Sequence, residues 1–164
     1  MALQLFEIAE FTVSNPVTSV TFSAIPQGYS DLKLLTSTRN SSTTPEEVLT
    51  FNGSSTGFSD IVLYSYNGLV GSNNSTPIRA TSNMSAQTAD AFSHTEYYIP
   101  NYALGAHKTV VSDSTSVNND TGNGFIFITA GLWANTAAIT SVTVTSGGSG
   151  FFVPNSLFTL YGVL

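Results

Sequence analysis

His94 and Glu96 stand two residues apart in a stretch with strand character, so their side chains share one face, as metal ligands on a β-barrel can. A metal centre needs more converging donors than that, and the second histidine, His107, falls in or beside a turn-rich segment. The pair reads as two ordinary polar surface residues. Serine is so abundant that Ser/His/Asp triplets carry no information, and no Gly-x-Ser-x-Gly elbow is expected. A glycosidase would need two acids framing a cleft, yet most of the ten acids fall in strand ends or loops, where solvated carboxylates and turn caps are the ordinary roles. The run Asn118-Asn119-Asp120-Thr121-Gly122-Asn123 is rich in oxygen donors, but it lacks the alternating acids and closing Glu of a helical calcium hand. Gly147-Gly148-Ser149-Gly150 has no Gly-Lys-Ser/Thr after it and cradles no phosphate. Neither catalytic residues, nor a metal, nor a cofactor is expected.

Aromatic side chains offer a different chemistry. Tyr64, Tyr66, Tyr97, Tyr98 and Tyr102 lie in strands or their adjoining turns, Phe125 and Phe127 open a very apolar strand, and Trp133 ends it. Such rings stack on sugars or anchor protein interfaces, and these eight are the candidate contact residues; core packing is the competing role for each.

Composition narrows the class of partner. Charged residues are only 9% of the 164, against about a quarter in an average soluble domain. The net charge is −6, with Lys33, Arg39, Arg79 and Lys108 as the only basic residues, which argues against nucleic-acid binding. Cysteine is absent, so no disulfide or thiolate site exists. Six Asn-x-Ser/Thr patterns are what this much Asn, Ser and Thr yields by chance. The first residues do not read as a signal peptide, and no apolar run is long enough for a membrane span. A soluble protein made in the cytoplasm, without membrane insertion, is expected.

The elements that must position these residues repeat with period two. Val20, Phe22 and Ala24 share one face of a strand while Ser19, Thr21 and Ser23 share the other. Leu32 and Leu34 alternate with Lys33, and Val142 and Val144 alternate with Thr143. Asn52-Gly53 and Asn67-Gly68 mark hairpins or tight turns. Residues 71–90 read as one long polar loop with room for a short strand. Residues 125–133 are apolar on both faces, which implies a central strand with the opposite sheet on one side and a neighbouring subunit on the other. Both ends of the chain look like strands and are expected to be neighbours. About nine strands and no helix result, in one domain over residues 1–164: an antiparallel, jelly-roll-like β-sandwich whose interior joins Phe22, Leu34, Val142 and Leu160.

Four stretches carry a resemblance. Residues 20–32, Val-Thr-Phe-Ser-Ala-Ile-Pro-Gln-Gly-Tyr-Ser-Asp-Leu, the element Phe51-Asn52-Gly53, residues 131–142, Gly-Leu-Trp-Ala-Asn-Thr-Ala-Ala-Ile-Thr-Ser-Val, and the closing residues 152–162, Phe-Val-Pro-Asn-Ser-Leu-Phe-Thr-Leu-Tyr-Gly, are similar, in order and spacing, to small virion structural proteins of tailed bacteriophages, especially cyanophages and other marine phages. Gly28 and Ser30, and the extended polar loop over 71–90, depart from that pattern. The resemblance implies a virion protein, either a capsid decoration (cement) protein or a head-fibre or tail-fibre module. With neither a coiled coil nor a collagen-like repeat to give reach, and a domain that begins and ends with the chain, decoration is the favoured expectation. Its implied place is the capsid exterior. Its partners would be the major capsid protein and further copies of itself as a homotrimer, with host-surface carbohydrate the partner under the fibre reading.

Overall fold

The computed structural model describes residues 4–119, 122 and 124–164. Among these residues every regular element is a strand. The strands are β1 (Leu5–Thr12), β2 (Ser19–Phe22), β3 (Asp31–Ser37), β4 (Glu46–Phe51), β5 (Phe58–Tyr66), β6 (Leu69–Ser75), β7 (Ile78–Thr81), β8 (His94–Pro100), β9 (Lys108–Ser116), β10 (Phe125–Trp133), β11 (Val142–Ser146) and β12 (Leu157–Val163). They form an eight-stranded sheet, order β1-β12-β3-β8-β9-β10-β5-β6, and a four-stranded sheet, order β2-β11-β4-β7. All the strand pairs are antiparallel. The all-β sandwich is as expected, but the division is unequal, unlike the two four-stranded sheets of an ideal jelly roll.

Twelve strands replace the expected nine. Two of the additions fall in or at the start of residues 71–90, read as one long loop with room for a short strand: β7 fits that short strand, and β6 corrects the start of the loop. β6 hides neither face, so it lacks the alternation that marks a half-buried strand. β7 is only four residues long, too short to show a period. After β7 the chain does leave regular structure, but it is pinned: the Arg39 guanidinium donates to the carbonyls of Ser85, Gln87, Thr88 and Ala91. Ala24 does not join Val20 and Phe22 in the core, because β2 ends at Phe22 and Ala24 turns to φ 54° in the open. Asn67 and Gly68, at φ 51° and 79°, make the two-residue hairpin that joins β5 to β6. Asn52-Gly53 also turns with positive φ, but there the chain crosses from the small sheet to the large one. The Asn52 side chain clamps the later crossing from β10 to β11, donating to the Ala138 carbonyl and accepting from the Thr140 and Ser141 amides. The two terminal strands do pair, as β1 with β12.

One core fills the space between the sheets and brings Phe22, Leu34, Val142 and Leu160 together. Phe51, Phe58 and Trp133 form an aromatic nest at one end, with the Phe58 and Trp133 rings stacked 5.8 Å apart. Each fully buried side chain of this size contributes about 2–3 kcal/mol of apolar transfer, so the nest is a principal anchor of that end.

A carboxylate is enclosed in the same core. Glu47 of β4 is fully buried and accepts hydrogen bonds from Thr36 at 2.7 Å, Thr38 at 2.7 Å and Tyr97 at 3.0 Å. Those donors belong to the large sheet or follow directly from it, so the carboxylate ties one layer to the other. Burial pushes the Glu47 carboxyl above its ordinary value, and the hydroxyl donors offset this only in part. The Tyr97 hydroxyl is raised well above the usual tyrosine value by burial first, then by the adjacent Glu47 charge.

A group that holds its proton more tightly when folded favours the native state most at low pH, and that advantage is lost as pH rises through its folded value. The Glu47→Gln variant cannot ionise. Urea unfolding of both proteins from acid to neutral pH is therefore expected to show the variant gaining stability relative to the parent as pH climbs above the ordinary carboxyl range. A difference that stays flat with pH would refute the assignment.

Candidate functional site

The structure divides the eight aromatic candidates into three groups. Tyr97, Tyr102 and Trp133 are enclosed in the core, at 0%, 0% and 1% exposure, and have no surface to offer a partner. The expectation that they are contact residues is corrected for these three: each lies on the inward side of its strand or, for Tyr102, is held inside by its hydroxyl bonding the Pro26 carbonyl. Tyr98 is half-buried on the opposite face of β8 and donates its hydroxyl to Asp31 of the neighbouring strand, a bond that raises its pKa.

Tyr64, Tyr66, Phe125 and Phe127 come together. Register puts Phe127 opposite Tyr64 and Phe125 opposite Tyr66 on the inner face of the large sheet. The Tyr66 and Phe125 rings stack 4.5 Å apart at 9°, and Phe125 meets Phe127 edge-on. Across this face β7 runs over Gly131, where a Cβ would collide with Ile78 at 2.9 Å, then over Thr129, which donates to the Arg79 carbonyl. It ends at Ser114, which accepts from the Thr81 amide. The strand thus leaves the corner held by the four rings uncovered by the small sheet. Tyr64 extends over Gly71 of β6, where any Cβ would strike its ring. Phe127 is buried and the other three rings are half-buried, forming an aromatic shelf.

A second surface lies on the reverse of the same strands, and sequence reasoning chose the wrong parity for it. In β10 the odd-numbered Phe125, Phe127 and Trp133 point inward, while Ile126 and Ile128 point out at 53% and 50% exposure. Ile128 stands beside Leu63 of β5, and Ala130 stands between Val111 of β9 and Ile61 of β5. Ile61, Leu63 and Val111 are likewise exposed. Of the two faces of β10 expected to be covered, the opposite sheet meets the odd-numbered one within this chain, and the even-numbered one is the face expected against a neighbouring subunit. That outer face is open in the single chain, and a contiguous apolar patch of this kind marks a surface for association. Asp113, beside Ile128, borders the patch. Asp60 does not contribute charge there, since it is buried and held by the Arg79 guanidinium at 2.9 Å.

The polar candidates stay apart. His94 is exposed, Glu96 pairs with Lys33 at 2.8 Å, and His107 lies in the exposed turn before β9. Among the described residues no three His, Cys, Asp or Glu side chains gather into a metal-ligand set. Asp120, Thr121 and Asn123 of the oxygen-rich run lie outside the described residues. Gly53-Ser54-Ser55-Thr56-Gly57 does spell Gly-x-Ser-x-Gly, but it is the crossing from β4 into β5 and leads into a strand, not a helix. The cleft it borders is lined by hydroxyls, Phe58 and Pro77, with no acid or base.

Because Ile126 and Ile128 make few inward contacts, Ile126→Thr and Ile128→Thr are each expected to change the unfolding free energy by less than about 0.5 kcal/mol. Leu34→Ala, in the core, is expected to cost about 2–5 kcal/mol in the same urea titration. Comparison with known protein families, with curated proteins and with solved structures gives no match.

Proposed function

We propose that this chain is a structural protein of a tailed-phage virion, a capsid decoration protein that sits on the outside of the major capsid lattice and stabilises the head. The observation that carries the reading is the open outer face of β5, β9 and β10, where Ile61, Leu63, Val111, Ile126 and Ile128 form an apolar surface on the large sheet. Antiparallel sheets ordinarily turn polar residues to water on their free side. Here the free side is greasy, and the rest of the chain carries few charges. That combination suits a broad docking contact on a protein lattice, and the phage-like stretches in the sequence point to which lattice. The role is one of binding, without a reaction.

A second reading, a fibre module that recognises host glycan, is favoured by the aromatic shelf of Tyr64, Tyr66 and Phe125. Flat rings beside amide side chains are what sugar faces stack on.

Purified virions separate the two. Decoration requires many copies per particle, located on heads. A handful of copies confined to the tail would refute it and favour the fibre reading. The Ile128→Lys variant is expected to lower head occupancy at least about tenfold, because docking would bury an unpaired ammonium. Under the fibre reading, Tyr66→Ala would instead abolish adsorption to cells while leaving head composition unchanged.

A further inference from the structure

The two ends of the large sheet are built differently. At one end β1 pairs with β12 through a register shift between Glu7 and Ala9, and it carries Glu7 and Glu10. A bulge and charged side chains are the usual means by which an edge strand refuses a further strand. At the other end β6 pairs with β5 through seven successive residue pairs without a shift. It contains no charged residue and no proline, and its Leu69 and Val70, at 71% and 74%, are the most exposed large apolar side chains among the described residues. One edge is guarded and the other is open.

We propose that the β6 edge is an interaction surface for a second copy of this chain, which adds its own β6 antiparallel to the first across a two-fold axis and joins the two large sheets into one. The free backbone groups of a regular edge strand call for another extended strand. A second copy supplies such a strand in its own β6, seven residues long and without a charged side chain, so the pairing of two chains of net charge −6 adds no like-charge repulsion within the joined strands. The nearest carboxylate in the ladder, Asp60 opposite Ser75, is buried against Arg79 and adds no repulsion. Pairing β6 with β1 of another copy would instead meet the bulge and two glutamates, so a head-to-tail ring or fibre is disfavoured. Self-pairing of one strand is isologous and closes at two copies. The inference therefore replaces the three-fold self-association expected from the sequence, and it does not depend on what the outer face docks to. In the pair, the two outer apolar faces lie on one continuous sheet.

Light scattering coupled to size exclusion, at protein concentrations up to about 100 µM, reads the state directly, since a pair with micromolar Kd is formed there. The parent chain is expected to be a dimer. Ser72 is exposed in the middle of β6, so Ser72→Lys and Ser72→Glu place like charges face to face across the axis. Each alone is expected to weaken self-association at least about tenfold, with an unchanged circular-dichroism spectrum. Mixing the two is expected to restore the dimer, which no folding defect would do. Val111→Lys, three strands away on the outer face, is expected to leave the dimer intact. A monomeric or trimeric parent overturns the proposal. So does a dimer that survives Ser72→Lys, or one lost in Val111→Lys, which would mean that the outer faces pack together.

Discussion

The large sheet presents eight strands to a facing sheet of only four, and at about 4.8 Å per strand this sets a face some 34 Å wide against one some 14 Å wide. Most distinctive surfaces of the molecule follow from that mismatch. Where β7 crosses β10 and β9 the inner face is sealed by close contact, with Gly131 making room for Ile78. Past that crossing the small sheet no longer covers the large one: the segment after β7 reaches Ser116 of β9 through Gln87, and Tyr64, Tyr66, Phe125 and Phe127 cover one another. β6 lies farther out still, buried on neither side, and is held by the ladder to β5 and the tight Asn67-Gly68 hairpin.

Within the covered region, stability rests on one mixed core rather than on hydrophobic contact alone. The aromatic nest of Phe51, Phe58 and Trp133 anchors one end. Glu47, with its hydroxyl donors, fixes how the layers sit on each other elsewhere. A buried carboxylate is costly unless its lone pairs are satisfied, so the ring of donors around it specifies one arrangement of the sheets. Arg39 does similar work at the surface, collecting four carbonyls of the segment after β7 and keeping that irregular stretch against the sandwich. The four basic residues are thus largely committed: Arg39 and Lys108 to backbone carbonyls, Arg79 to Asp60, Lys33 to Glu96. Little positive charge is left to reach for a partner, which leaves apolar contact, backbone pairing and ring stacking as the means of recognition.

Those three means occupy separate parts of the sheet. The outer face of β5, β9 and β10 offers apolar contact, the β6 edge offers backbone groups, and the corner beneath offers rings. Separation keeps apolar contact, backbone pairing and ring stacking from competing for the same surface.

Residue types and their alternation were enough to define an antiparallel sandwich without helix, the inward sets of β2, β3 and β11, the interior place of Leu160, and the turn at Asn67-Gly68. Each rests on a local rule: side chains on a strand alternate, and Asn-Gly accepts positive φ. What alternation cannot convey is which face turns inward when both are apolar. Phe125, Phe127 and Trp133 on one side of β10 and Ile126, Ile128 and Ala130 on the other are equally hydrophobic, so only the position of the opposing sheet decided that the first set is core and the second surface. The same holds for Tyr97 and Tyr102, whose rings suit a surface or an interior equally well. β6 escaped detection because a strand that buries neither face leaves no hydrophobic period to read, and the short strand allowed for within 71–90 was left unplaced because the four residues of β7 are too few to show a period. Which strands sit at the edges, and whether each edge is guarded, depends on pairings between residues far apart in the chain, and these exist only once the sheets have assembled.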